Sequence, residues 1–355
     1  MLITTFIVGF FAFLFILATI APLGSLGWWA GWFGEELSFD ELNDANGTSL
    51  HRPGDGTPRW SLAPQKQTPS ENAVATQQVR GVVERVPLQR KPIKATQYIV
   101  YLSGIGAFTG SSIPREELPF VAALRTQLAN SIVITDVFPY SVTNMGLTGE
   151  RLFARIWRYI EAQRPKNPNS LWLYLVVVRN MFQVMVSADR RYGPIYNLGV
   201  AREIWWSLYH HGYRPGMQNR ITLIGASGGA QIAIGAANYL AKVADLPIQI
   251  ISLGGVIASD PGLLKISHLY HLYGANDGTH KLGARLFPGR WSITVNSAWN
   301  RARQRGLITM KETGPADHVG ENSQFDPHAF ASDGRSYFQI TLDEVLTILQ
   351  PRSKK

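Results

Sequence analysis

Arg220-Ile-Thr-Leu-Ile-Gly-Ala-Ser-Gly-Gly-Ala-Gln-Ile-Ala-Ile-Gly-Ala-Ala-Asn-Tyr-Leu240 is the stretch from which the fold is read. Residues 221–224 are a short apolar run rich in β-branched side chains, which suits a buried strand. Residues 230–240 are rich in alanine and aliphatics, which suits a helix. Between them, Gly225-Ala226-Ser227-Gly228-Gly229 fits Gly-x-Ser-x-Gly. Where a strand turns sharply into a helix, the central serine is held in a strained backbone conformation and its hydroxyl projects from the end of the sheet. Gly225 and Gly229 leave the space that the turn needs, because side chains there would collide across it.

With 33 glycines in 355 residues, the pattern alone is a weak signal. The strand before it and the helix after it supply the context that gives it meaning. On these residues the chain resembles the α/β-hydrolase superfamily, over roughly residues 96–350. The resemblance implies Ser227 as nucleophile. It also implies an oxyanion hole, with one donor after the nucleophile and one in a Gly-rich turn after an early strand. Residues 97–102 (Gln-Tyr-Ile-Val-Tyr-Leu) have strand composition and run into Ser103-Gly104-Ile105-Gly106. Carried over, the donors are the N–H groups of Ile105 and Gly228. Ser103 stands where the family often has His, and a plain glycine turn is the competing reading.

A serine hydroxyl is a poor nucleophile near neutral pH and needs a base, itself oriented by a carboxylate. The family's chain order is Ser, then Asp or Glu, then His. The resemblance implies Asp277 as the acid, in Gly274-Ala275-Asn276-Asp277, with Asp260 as its rival. It implies His318 as the base, in a polar loop after a last strand at 307–311, with His328 and His280 as alternatives. His210, His211, His268 and His271 fall inside expected helices or strands. No histidine spacing matches a metal-ligand motif, so neither metal nor cofactor is expected.

The chain has no cysteine, which excludes disulfides, thiolate zinc sites and a cysteine nucleophile. Its net charge of +9 favours anionic partners. No nucleic-acid-binding motif is visible, so a membrane is the expected partner and nucleic acid is not. Residues 1–22 contain no charged side chain and suffice to cross a bilayer as a helix. Trp28, Trp29 and Trp32 follow as an interfacial belt. A cleaved signal peptide and a buried helix are the alternatives, although the run lacks a basic start. No Lys or Arg occurs before Arg52, so the charge pattern does not fix an orientation. Residues 23–95 read as a juxtamembrane segment and flexible linker, with an edge strand possible at 82–86. Residues 351–355 form a basic tail.

Within 96–350, further helices are expected at 114–128, 148–163, 196–211 and 341–349 and further strands at 131–137, 247–254 and 269–273. Glu116 and Glu117 suit the first turn of the first helix, and Thr341 suits the cap of the last. Arg151, Arg155 and Arg158 share one helix face, either solvated or facing lipid headgroups. Residues 171–188 are apolar but interrupted by Arg179, Asn180 and Gln183, which argues for a buried or lid-forming helix rather than a spanning one. The expected fold is therefore α/β, a mostly parallel central sheet with helices on both faces, preceded by a transmembrane helix and a linker. The expected activity is a membrane-anchored serine hydrolase of a carboxylic ester or thioester, with an acyl lipid as one substrate class. The alternatives are a catalytically degenerate scaffold that binds a partner at the membrane, and an acyltransferase using the same three residues.

Overall fold

The computed structural model describes residues 95–350, except 111, 145, 148–153 and 164–170. The expected transmembrane segment, aromatic belt, linker and edge strand, together with Thr148, Arg151 and the basic tail, lie outside the described residues.

Among the described residues, six strands form one parallel sheet: β1 (Gln97–Leu102), β2 (Ser131–Ile134), β3 (Arg220–Ala226), β4 (Ile248–Leu253), β5 (Ile266–Tyr273) and β6 (Ile308–Glu312). Their order is β2-β1-β3-β4-β5-β6, and every neighbouring pair runs parallel. All residues of β1 and β4 are buried, and all of β3 but its first. This explains their unbroken apolar runs, since a strand covered on both faces has no polar side to present. The edge strands differ: β6 is largely exposed and carries Lys311 and Glu312, charges that discourage pairing with another chain.

Among the described residues, eight helices accompany the strands: α1 (Leu118–Gln127), α2 (Ala154–Gln163), α3 (Leu171–Ala188), α4 (Gly193–His210), α5 (Gly228–Ala244), α6 (Leu282–Leu286), α7 (Ala298–Gln304) and, after the last strand, α8 (Tyr337–Leu349). Phe120, Val121 and Leu124 of α1 and Leu342, Val345 and Leu346 of α8 pack on one face of the sheet, against Ile99, Tyr101, Ile224, Ile251 and Leu253. Helix α5 packs against α3 and α4 and against β3 and β4.

Several boundaries differ from the sequence expectation, each for a local reason. Strand β2 ends at Ile134 rather than 137 because Asn144 captures the backbone beyond it: its Nδ2 donates to Asp136 O (3.0 Å) and its Oδ1 accepts from Phe138 N (2.5 Å). Helix α1 begins at Leu118, with Pro119 in its first turn. Glu117 does not face the helix dipole from the surface; its carboxylate turns inward. Helix α8 begins four residues before Thr341. Ser336 is its cap, accepting from Gln339 N (3.1 Å), while Thr341 is buried within the helix. Asp343 and Glu344 therefore lie beyond the first turn, where Glu344 pairs with Lys311 of β6 (2.6 Å). Arg155 and Arg158 on α2 are both exposed. Among the described residues, no helix is long and apolar enough to cross a membrane.

Candidate active site

The chain leaves β1 toward β2 on one side and returns to β3 on the other. That reversal opens a crevice outside the carboxyl ends of β1 and β3, where open α/β sheets place their ligands. Ser103-Gly104-Ile105 and Ser227 are the residues that follow those two ends.

Ser227 has φ 48° and ψ −119°, a left-handed conformation unusual for a residue with a side chain. Its amide donates to Leu253 O (2.9 Å), which ties the kink to β4. The glycines around it are sterically required. A β-carbon at position 225 would lie 2.4 Å from Ala230 Cα, and one at 229 would lie 2.4 Å from Leu102 O. The turn thus packs β3, α5 and the end of β1 within backbone contact.

Ser227 Oγ is 2.9 Å from His318 Nε2, and His318 Nδ1 is 2.9 Å from Asp277 Oδ2. Asp277 follows β5 and is buried. Its other oxygen accepts the backbone N–H groups of Thr279 (2.8 Å) and His280 (3.2 Å). Burial alone would raise its pKa; the His318 hydrogen bond and charge, with these two amides, outweigh burial and hold it below the usual carboxylate value. A carboxylate facing Nδ1 favours the tautomer with the proton there, leaving Nε2 as the acceptor toward Ser227.

The loops carrying Asp277 and His318 are stitched together. Ala275 N donates to Gly314 O (2.8 Å), and Asn276 Nδ2 to Pro315 O (2.8 Å). A β-carbon on Gly274 would meet Ala316 O at 2.0 Å. Gly254, at the end of β4 with φ +61°, makes room for the pair: a β-carbon there would lie 2.9 Å from Asp277 Oδ2 and 3.3 Å from His318 Nδ1.

The alternatives do not bond Ser227. Asp260 caps the short turn Pro261–Leu264 by accepting from Gly262 N (2.7 Å). His328 is exposed. The buried His280 ring stacks on Tyr273 at 4.3 Å, and neither histidine hydrogen-bonds Ser227. His271 is buried on β5 against Ser252 Oγ (2.9 Å), and His210 and His211 bond back to their own helix. Among the described residues, no group of three or more His, Asp or Glu side chains is arranged to hold a metal ion.

Ile105 and Gly228 are neighbours in space: a β-carbon at 228 would lie 2.7 Å from Ile105 Cγ2. Neither amide donates to a described acceptor, whereas the Gly104 amide is occupied by Glu117 Oε1 (3.1 Å). Glu117 also accepts from Tyr101 OH (2.7 Å). Helix α3 braces this loop from the other side. Asn180 Nδ2 donates to Ile105 O (2.7 Å) and Ala107 O (2.9 Å); Arg179 Nη1 donates to Tyr140 O (3.0 Å), and Tyr140 OH to Ser103 O (2.8 Å). Burial raises the pKa of Tyr101 and Tyr140, with the Glu117 charge adding to it, so both phenols remain donors. Gly254, Glu117 and Asn180 were not singled out for the site from the sequence. Asn180, a polar residue inside an apolar run, is the one that carried a visible signal.

No protein-family model and no curated protein matches the chain. Among solved structures, it is similar to the dienelactone hydrolase from Anabaena variabilis ATCC 29413. Identity is 14%, the match covers 73% of this chain and 85% of that one, and the TM-score is 0.33.

Proposed function

We propose that this chain is a serine hydrolase of carboxylic esters or thioesters, with Ser227 as nucleophile, His318 as general base and then acid, and Asp277 as the group that orients the imidazole. The observation that carries the reading is the continuous relay Ser227–His318–Asp277, two contacts of 2.9 Å, on a serine held at positive φ.

Ser227 Oγ attacks the acyl carbon while His318 Nε2 takes the hydroxyl proton. The oxyanion that forms is received by the Ile105 and Gly228 amides. His318 then returns the proton to the leaving alcohol or thiol, and a water repeats the sequence on the acyl-serine to release the acid. In the degenerate-scaffold reading the three side chains would stand apart, which their spacing argues against. The acyltransferase reading differs only in the second acceptor, an alcohol in place of water. Residues 1–22 support placing the enzyme at a membrane, with an acyl lipid as the substrate class.

The test is a fluorophosphonate probe on the purified full chain. Labelling of the wild-type protein is expected, with loss in Ser227→Ala at unchanged circular dichroism. A wild-type protein that neither labels nor cleaves a short-chain p-nitrophenyl ester would overturn the reading. Ester rather than acid as the product, when an alcohol is supplied, would assign transfer in place of hydrolysis.

A further inference from the structure

The excursion between β5 and β6 gathers exposed cations with no acid beyond Asp277 to balance them. From residue 278 to residue 311 there is no Asp or Glu. Lys281, Arg285, Arg301, Arg303 and Arg305 are all exposed there, and none forms an ion pair with a described residue. Beside these cations stand apolar side chains that folding leaves outside: Leu286 is 55% exposed, Trp291 45%, Ile293 78% and Val295 55%.

The segment is braced in this form. Trp291 Nε1 donates to Ala284 O (2.9 Å), which joins the tip to α6. Asn300 Nδ2 donates to Trp291 O (2.8 Å) and Thr294 O (2.9 Å), which joins it to α7. Beneath, the Arg290 guanidinium lies 3.8 Å over the Trp299 ring and donates to Ile257 O (3.1 Å). Val295 and Arg303 line one shallow depression. Aliphatic tips among unpaired arginines, on a held scaffold, match the boundary between lipid headgroups and acyl chains, where each kind of side chain finds its own layer.

We infer that this excursion docks the domain on an anionic lipid bilayer, as a contact separate from residues 1–22. A nucleic acid would reward the cations and leave Ile293 and Val295 with nothing to bury against. A second copy would bring like charges together. The inference is independent of the chemistry proposed for Ser227.

The chain has no cysteine, so Ile293→Cys creates a unique site for an environment-sensitive fluorophore. Gln127→Cys, exposed on α1, is the control position. The full chain is reconstituted in phosphatidylcholine vesicles with and without phosphatidylglycerol; residues 1–22 are free to insert in both, so the difference isolates the excursion. The expected result is a blue shift at 293 on the anionic vesicles only, with roughly fivefold less quenching by acrylamide. The shift reverses at about 1 M salt, where screening is near-complete, and is absent in Arg285→Glu/Arg303→Glu. The label at 127 does not respond. Equal signals on both vesicles, no signal on either, or a shift that follows protein concentration or added oligonucleotide without lipid would each overturn the inference.

Discussion

The side-chain amide of Asn180 lies 2.7 Å from the carbonyl oxygen of Ile105. It fixes, from the middle of α3, the far side of the residue whose N–H is proposed to receive the oxyanion: the carbonyl held belongs to the peptide unit that follows that N–H. The same Nδ2 holds Ala107 O. Asn180→Ala leaves both carbonyls without this partner and frees the loop. The expected outcome is a fall in kcat of about 10- to 100-fold with KM little changed, because the lost support acts in the transition state. Stability should fall by about 1–3 kcal/mol. Steady-state kinetics on a short-chain ester and urea unfolding check the two parts.

Asp277→Asn tests the orienting role. The amide can present an N–H toward His318 Nδ1, which would place the imidazole proton on the nitrogen facing Ser227. A drop in kcat of the order of 10³–10⁴-fold is expected, with fluorophosphonate labelling slowed in proportion and the fold retained. A variant with wild-type turnover would remove Asp277 from the mechanism.

Gly229→Ala and Gly278→Ala form a matched pair. A methyl at 229 would press on the backbone oxygen of Leu102 at 2.4 Å, whereas one at 278 meets nothing within 4 Å. The first should cost about 1–3 kcal/mol or more, since backbone on both sides must shift. The second should stay within about 0.5 kcal/mol of wild type. Denaturant midpoints read the difference directly.

Two buried groups give stability opposite slopes with pH. Burial, helped by the charges of Arg290 and His280, lowers the His271 pKa to about 3. Between about pH 3 and its ordinary value near 6.5 the unfolded chain binds this proton and the folded chain does not, so stability rises with pH there. Burial raises the Asp260 pKa to about 6. Between its ordinary value near 4 and about 6 the folded chain holds the extra proton, so stability falls with rising pH. Asp260→Asn, which keeps an oxygen for Gly262 N, removes only the second slope. Its stability relative to wild type should therefore climb from pH 4 to pH 6 and then level off, as pH-resolved chemical denaturation would show. A constant difference would mean that Asp260 titrates normally.

How far the sequence reveals this molecule depends on how local each constraint is. The kink at Ser227 is legible because strand, turn and helix adjoin one another, and Gly225 and Gly229 answer to atoms within that same turn or at the end of β1. Asp277 and His318 are legible only through the chain order that the family resemblance supplies. Their meeting depends on contacts between loops, such as Asn276 with Pro315. The extent of helix α3 is legible in its apolar run, but the face it buries is not. Its Arg179, Asn180 and Gln183 are buried, the first two against backbone carbonyls, while Tyr174, Met181 and Met185 stay exposed. An apolar run suggests which residues are buried only when the surface it meets is apolar too. At α8, Ser336 and Thr341 are both of types that can cap a helix, and the acidic pair at 343–344 points to the later one; the cap is Ser336, and ties to Arg335 and Lys311 explain those acids instead.

The strand order also has a temporal side. The imidazole that meets Ser227 lies 91 residues further along the chain. At a synthesis rate of about 5–20 residues per second, several seconds separate the two on the ribosome. Throughout that interval the hydroxyl has no proton acceptor, and a chain stalled or clipped upstream of β6 never acquires one. On the mechanism proposed for Ser227, aborted products would thus turn over no ester.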